Sequence, residues 1–250
     1  MERVIDGIDH VVAPIVGAAA VFRVLTDDLG LPAAWPFADH GGIASGGVCL
    51  GNANLEISES GTMHPWFRAQ SPARIQGLVF TPARPIDEAF AATIRARGIG
   101  CSRPMPHEGE LLGASGLVWT NLWLEGLIGD DAGAMLCEYH VPAAVDLKQR
   151  QAKLDAAGGG RLGAMGVAEV VIGSPDPEAA RARWARLLDP APCDDRGWTL
   201  RHGPRLRVAA GDAEQVEALV LAVRAPRAAR AEFERVAPGL AGLSFVFTQA

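Results

Sequence analysis

Short β-branched apolar runs and stretches with helical spacing alternate along this chain, and they recur in the same order. The opening run, Gly7-Ile8-Asp9-His10-Val11-Val12, reads as a strand, and 16–29 carries the apolar spacing of a helix. Three strand-like runs follow at 35–39, 43–50 and 54–58, with glycine and polar residues supplying the turns between them. The βαβββ order restarts at 75–81. A helix is predicted over 85–97, with Asp87 and Glu88 in its first turn, and strands over 104–107, 117–127 and 134–141. A third start, Gly166-Val167-Ala168-Glu169-Val170-Val171, aligns without gaps on the first. Asp176 then suits a helix cap and Pro177 a first helical position. Strands at 198–201 and 206–209 come next. A shortened fourth copy consists of a strand at 216–223, a helix over 226–236 and a strand at 243–247. The pattern predicts an α+β fold of four βαβββ-type modules, the last truncated.

Four copies divide naturally into two pairs. Residues 1–146 hold the first pair (modules 1–60 and 73–142), 147–165 form a linker, and 166–250 hold the second, degenerate pair. The linker combines a charged helical piece with Gly158-Gly159-Gly160, read as a flexible hinge. That run extends to Gly163 and formally matches a dinucleotide fingerprint, but it follows a helix and precedes a strand, the reverse of the required context.

Composition narrows the function classes without naming one. Hydrophobic residues make up 49% and charged residues 21%, so a real core is expected. Net charge is −6, with ten basic and seventeen acidic residues up to Arg150 and thirteen and twelve beyond it. No basic stripe emerges, which argues against nucleic acid as a partner. Cys49, Cys101, Cys137 and Cys193 lie far apart without a CxxC pair, as expected of reduced intracellular thiols. No apolar run is long enough to span a bilayer and no signal peptide is visible, so the expectation is a cytoplasmic chain without a membrane partner. A nucleophile elbow of the G-x-S-x-G type is absent.

The repeated βαβββ order, the opening Ile8-Asp9-His10-Val11-Val12 and Leu55-Glu56-Ile57 in the fourth strand resemble the vicinal oxygen chelate superfamily, and within it the glyoxalase-like proteins. The resemblance covers nearly all of the chain. It implies that paired modules form two half-open β-cups, with metal ligands drawn from the first and last strands of each module. Carried over by position, His10 and Glu56 fall on the first two ligand sites and Gly77 on the third. Glu138, in Met135-Leu136-Cys137-Glu138-Tyr139-His140, falls on the fourth. Gly77 offers no side chain, which leaves His10, Glu56 and Glu138 as the implied set. One imidazole and two carboxylates suit a divalent metal (Mn, Fe, Ni, Zn or Mg), and three protein ligands leave open positions for water or substrate.

Strand alternation puts Asn54, Glu56 and Ser58 on one face, opposite Leu55 and Ile57. By the same count Glu138 and His140 share a face, which makes His140 a candidate proton carrier or a substitute ligand, with Glu138 beside it in a catalytic role. His10 is expected to share its face with Ile8 and Val12. Trp119, Asn121 and Trp123 fall on one strand face and, with Asn54 and His107, suit the lining of a substrate pocket. His40, His64 and Trp66 lie in flanking loops, and His202 sits in an exposed turn.

In the third module Glu169 stands in the place of His10, and Arg207 in that of Glu56. A guanidinium cannot ligate a cation, so the two side chains are expected to pair with each other in a metal-free second cup. The superfamily's two-domain extradiol dioxygenases carry iron on two His and one Glu in the C-terminal domain. Those residues are missing here, and ring cleavage of that kind is not expected. The reading is a glyoxalase-like protein acting on a small oxygen-rich metabolite with a divalent metal in the N-terminal cup, as an isomerase, lyase or hydrolase. The alternative is a metal-free protein that binds or sequesters a small molecule, and a homodimer is the assembly left open.

Overall fold

A computed structural model describes residues 2–39, 44–59, 74–111, 114–129, 132–140 and 147–250. The first module runs β1 (Ile5–Pro14), α1 (Ala18–Arg23), β2 (Ala33–Asp39), β3 (Ala44–Cys49) and β4 (Asn54–Glu59). A π-helical turn, Val24–Asp28, extends α1, so the apolar spacing read over 16–29 is realised in two kinds of helix. The second module runs β5 (Gly77–Pro82), α2 (Glu88–Ala96), β6 (Gly100–Cys101), β7 (Met105–Leu111), β8 (Ala114–Glu125) and β9 (Gly133–Tyr139). Both β6 and β7 pair with β8 and behave as one interrupted strand. Asp87 caps α2, its carboxylate accepting the Phe90 N–H at 2.7 Å.

These strands form one sheet in the order β2-β3-β4-β1-β5-β9-β8-β6, with β7 beside β8. The two modules meet at the antiparallel β1–β5 pair, where Val12 faces Gly77 and His10 faces Val79. Exchanging the modules turns one of these pairs into the other, so the equivalence of His10 with Gly77 is built into the register.

After α3 (Leu147–Ala156) the order repeats: β10 (Ala164–Ser174), α4 (Pro177–Leu188), β11 (Cys193–Asp194), β12 (Gly197–Trp198), β13 (Arg205–Ala210), β14 (Gln215–Val223), α5 (Pro226–Val236) and β15 (Phe245–Gln249). The second sheet runs β11-β12-β13-β10-β14-β15, its fourth module reduced to βαβ. No helix among the described residues is long and apolar enough to cross a membrane.

One large core fills the space under the helices and crosses between the halves: Trp184 of α4 lies 6.0 Å from Phe80 of β5, ring to ring. A smaller cluster on the opposite, inner face of the first sheet holds Val12, Val79, Trp123, Met135 and Cys137, with Trp119 and Tyr139 against it.

The glycine run after α3 is not a slack hinge. Gly158, Gly159 and Gly160 all take positive φ, and a Cβ at Gly160 would stand 2.4 Å from the Leu29 carbonyl oxygen. The Arg161 N–H donates to that same oxygen at 2.8 Å. Glycine is needed because the chain must turn left-handed while touching backbone, which any larger residue prevents.

Candidate functional site

Alternation in β1 breaks at Asp9. Ile8 faces Phe80 and His10 faces Val79, leaving Asp9 as the extra residue of a β-bulge. Ile8 and Val11 therefore enter the core beneath the helices, while Val12 joins the inner cluster. The expectation that Ile8 shares the face of His10 is corrected by this one extra residue. Asp9 and His10 both reach groups of the inner face.

Together they begin a buried chain of charge. Arg150, reaching in from α3, donates to the Asp9 carbonyl at 3.1 Å and pairs with Asp9 Oδ1. Asp9 Oδ2 bonds His10 Nδ1 at 2.6 Å and accepts from the Tyr139 hydroxyl at 3.3 Å. His10 Nε2 lies 3.2 Å from Glu56 Oε2, yet off the line of a hydrogen bond. Asp9, His10, Glu56 and Arg150 are all buried.

Burial works against the Asp9 carboxylate, but the Arg150 and His10 charges outweigh it and hold its pKa below the ordinary range. Burial likewise disfavours an imidazolium. The Asp9 and Glu56 carboxylates overcome that and raise His10 to about 9. Cys137 and Tyr139 also shift upward: burial, reinforced by Asp9, pushes both well up, so both stay protonated at neutral pH.

Glu56 comes from β4, where alternation holds as the sequence predicts. Leu55 and Ile57 are in the main core, and Asn54, Glu56 and Ser58 are on the face opposite. Asn54 is paired in register with His10 and is 3% exposed; Ser58 is fully buried. Neither Asn54 Oδ1 nor Ser58 Oγ has a hydrogen-bond partner. Trp35 of β2 lies across Gly47 of β3, where a Cβ would sit 2.3 Å from the indole, and meets His10 edge-on at 6.0 Å between ring centroids.

Across the same face, Trp119, Asn121 and Trp123 of β8 pair with Tyr139, Cys137 and Met135 of β9. His107 of β7 stacks on Trp119 with centroids 4.1 Å apart and planes 8° from parallel. The expected pocket residues Asn54, Trp119, Asn121, Trp123 and His107 thus occupy the face that carries His10 and Glu56. His40, His64 and Trp66 lie outside the described residues.

Glu138 and His140 do not join this group. In the parallel pairs, Val12 stands beside Glu56 and Val79 beside Met135. Module symmetry therefore makes Met135 the counterpart of Glu56. Glu138 is three residues further on, an odd step that puts it on the opposite face. There its carboxylate accepts the Ile86 N–H at 2.7 Å, just ahead of α2. His140 Nε2 bonds the Thr120 hydroxyl at 2.9 Å, and its Nδ1 lies 4.0 Å from Glu138 Oε1. Of the implied ligand set of His10, Glu56 and Glu138, the structure brings His10 and Glu56 together and leaves Glu138 on the opposite face, a correction of the three-residue expectation. Glu138 and His140 are likewise displaced from a catalytic role at that site.

Among the described residues no group of three His, Cys, Asp or Glu could hold a metal. The pair that remains still fits a cation. His10 Nε2 is a buried nitrogen without a hydrogen-bond partner, 3.2 Å from a buried carboxylate oxygen, so a divalent cation that displaces its proton would find a nitrogen and an oxygen donor side by side. Asp9 fixes the other ring nitrogen of His10, as carboxylates behind metal-bound imidazoles do. Asp9, Arg150, Tyr139 and Trp35 are the contributors that sequence reasoning missed. Asp9 was adjacent to a candidate, whereas Arg150 lay in a presumed linker with nothing to mark it.

In the second sheet the same device recurs with different chemistry. A bulge at Ala168 precedes Glu169, and Arg207 Nε donates to Glu169 Oε2 at 2.9 Å. The two side chains pair as the sequence predicts, on the positions that His10 and Glu56 take in the first sheet.

No family model matches the chain, and no curated protein matches it. Solved structures do. Homoprotocatechuate 2,3-dioxygenase from Arthrobacter globiformis superposes with a TM-score of 0.56 at 14% identity, over 97% of this chain and 71% of that one. The 2,3-dioxygenase LapB from Pseudomonas sp. KL28 gives 0.55 at 12% identity, over 96% and 81%. A hypothetical protein from Staphylococcus aureus gives 0.57 at 11%, over 87% and 90%. Identities this low establish a shared fold and nothing finer. The chain shares the fold of these dioxygenases, two open sheets built from repeated βαβββ-type modules.

Proposed function

We propose that the chain is a metal-dependent enzyme acting on a small, oxygen-bearing molecule at the inner face of the N-terminal sheet, with His10 and Glu56 as ligands of the cation. The observation that carries this reading is the buried His10 Nε2–Glu56 Oε2 approach at 3.2 Å, misaligned for a hydrogen bond and backed by Asp9. When bound, a divalent cation at this pair supplies Lewis-acid stabilisation to adjacent oxygens of a substrate.

The protein's own groups do the rest. Asp9 keeps a proton on His10 Nδ1, leaving Nε2 as the donor atom, and Arg150 and Tyr139 keep Asp9 ionised and in place. Gly77, across β1 from Glu56, leaves bare backbone where a ligand side chain would otherwise stand, and so leaves room for substrate. Trp35, Trp119 and Trp123 supply apolar walls that exclude water, and Asn121, whose buried Oδ1 has no partner, can orient a substrate hydroxyl. Neither Cys137 nor Tyr139 is ionised at neutral pH, so neither is a ready base. The Glu169–Arg207 pair speaks against iron in the second sheet and hence against extradiol cleavage.

Metal analysis of protein purified without chelator tests the reading, alongside His10→Ala and Glu56→Ala. Close to one Mn, Fe, Ni, Zn or Mg per chain in the wild type, and none in either variant, is the expected result. A wild type that holds no metal and whose melting temperature none of these ions raises would overturn it in favour of a metal-free binding protein. The apolar Met135 and bare Gly77 at the other two ligand positions favour that second reading.

A further inference from the structure

His10 and Glu56 alone are a sparse grip on a cation, and the partner positions in the second module, Gly77 and Met135, offer neither a side chain nor a hard donor. Another unexplained atom lies on the same face. Asn54 is 3% exposed, yet its Oδ1 accepts no hydrogen bond. An unpaired buried amide oxygen costs about 1–3 kcal/mol, so natural proteins rarely keep one without a use for it. Asn54 is the register partner of His10 on the neighbouring strand, and it precedes Glu56 by two residues on the same strand face. The three side chains therefore form one patch: imidazole, amide, carboxylate.

We propose that Asn54 Oδ1 is a third protein ligand of the divalent cation held by His10 and Glu56, an assignment that rests on the metal-dependent reading above. An amide oxygen is a hard, neutral donor, and the resulting nitrogen-and-oxygen set suits Mn, Mg, Fe, Ni or Zn rather than a soft metal. Ser58 Oγ is unpartnered too, but it lies beyond Glu56 on the side away from His10.

The experiment is calorimetric and electron-paramagnetic titration of the chelator-stripped full chain with Mn²⁺, comparing wild type, Asn54→Leu and Asn54→Asp. Asn54→Leu should weaken Mn²⁺ binding by about tenfold or more, and Asn54→Asp, which adds a charged oxygen at the same place, should tighten it by about tenfold. Thermal melting of the metal-free variants serves as the folding control. Should Asn54→Leu not fold, the Asn54→Asp arm decides alone: affinity unchanged from wild type overturns the assignment. Mn²⁺ binding by a folded Asn54→Leu chain at wild-type affinity overturns it as well, and leaves His10 and Glu56 as ligands. A wild type that binds no Mn²⁺ removes the underlying reading instead, so the two failures are distinguishable.

Discussion

At the scale of single residues, the site is organised around a buried aspartate that carries no ligand role of its own. Asp9 accepts from Arg150, His10 and Tyr139, and removing a single member leaves charge stranded where water cannot reach. Arg150→Met should therefore cost about 3–5 kcal/mol in urea denaturation, because it leaves the buried Asp9 carboxylate without its guanidinium partner, and Asp9→Asn should recover part of that loss in the double variant. Additive effects would mean that the two groups do not act as a pair. A second consequence concerns pH. With no metal bound, His10 keeps its second proton up to about pH 9, and ligation must displace it. Apparent metal affinity should thus rise by up to about tenfold per pH unit below that value, with about one proton released per ion in calorimetry across buffers of different ionisation enthalpy. His10 and Glu56 could be read from the sequence because each sits at a fixed place in a repeated strand. Arg150 could not, since nothing in a charged helix reveals that one of its side chains turns inward by way of Asp9.

At the scale of elements, the strands were legible wherever alternation was unbroken and misleading wherever a count slipped. Asn54, Glu56 and Ser58 follow the simple two-residue period. Ile8 does not share the face of His10, because the bulge at Asp9 inserts one residue that no apolar pattern announces. Glu138 failed by the same arithmetic: position by sequence likeness pointed to it, while pairing of β5 with β9 points to Met135. Glycines carry the rest of the element-scale information. A Cβ at Gly47 would strike the Trp35 indole at 2.3 Å, so Gly47→Val should cost about 1–3 kcal/mol and lift that ring from His10, altering tryptophan fluorescence and near-ultraviolet circular dichroism. In the turn after α3, Gly158 and Gly160 both have positive φ, but only Gly160 is hemmed in by backbone. Gly160→Ala should consequently destabilise more than Gly158→Ala, for which about 1 kcal/mol of left-handed strain is expected. Equal costs would return the run to the status of a loose tether.

At the scale of the whole molecule, the two halves are one design applied twice with opposite outcomes. The bulge recurs at Ala168 and the same two face positions come together, but Ala168 replaces the buttressing Asp9, Arg205 replaces Asn54 and Arg207 replaces Glu56. The cation in the second half is thus covalently part of the chain, and the two sheets are tied to each other rather than independent. Asn52, in the turn just before β4, exchanges two hydrogen bonds of 2.8 Å with Val167 of β10. The His202 N–H donates to the Asp6 carbonyl at 3.0 Å, and a Cβ at Gly203 would stand 2.6 Å from the Ile8 carbonyl oxygen. Both contacts flank the segments that present Asp9, His10 and Asn54, which gives the second half a bracing role even without a ligand. Glu169 and Arg207 are partly open to solvent, so their pair is screened and worth about 0–1 kcal/mol. Arg207→Ala should accordingly lower stability by no more than about 1 kcal/mol and leave the metal content of the chain untouched. Asn52→Ala removes both bonds across the boundary at once. It should cost about 1–3 kcal/mol and loosen the β3–β4 turn, seen as faster amide exchange of Asn54 to Glu56. Unchanged exchange there would show that β4 is held by its own sheet and that the second half contributes nothing to the site.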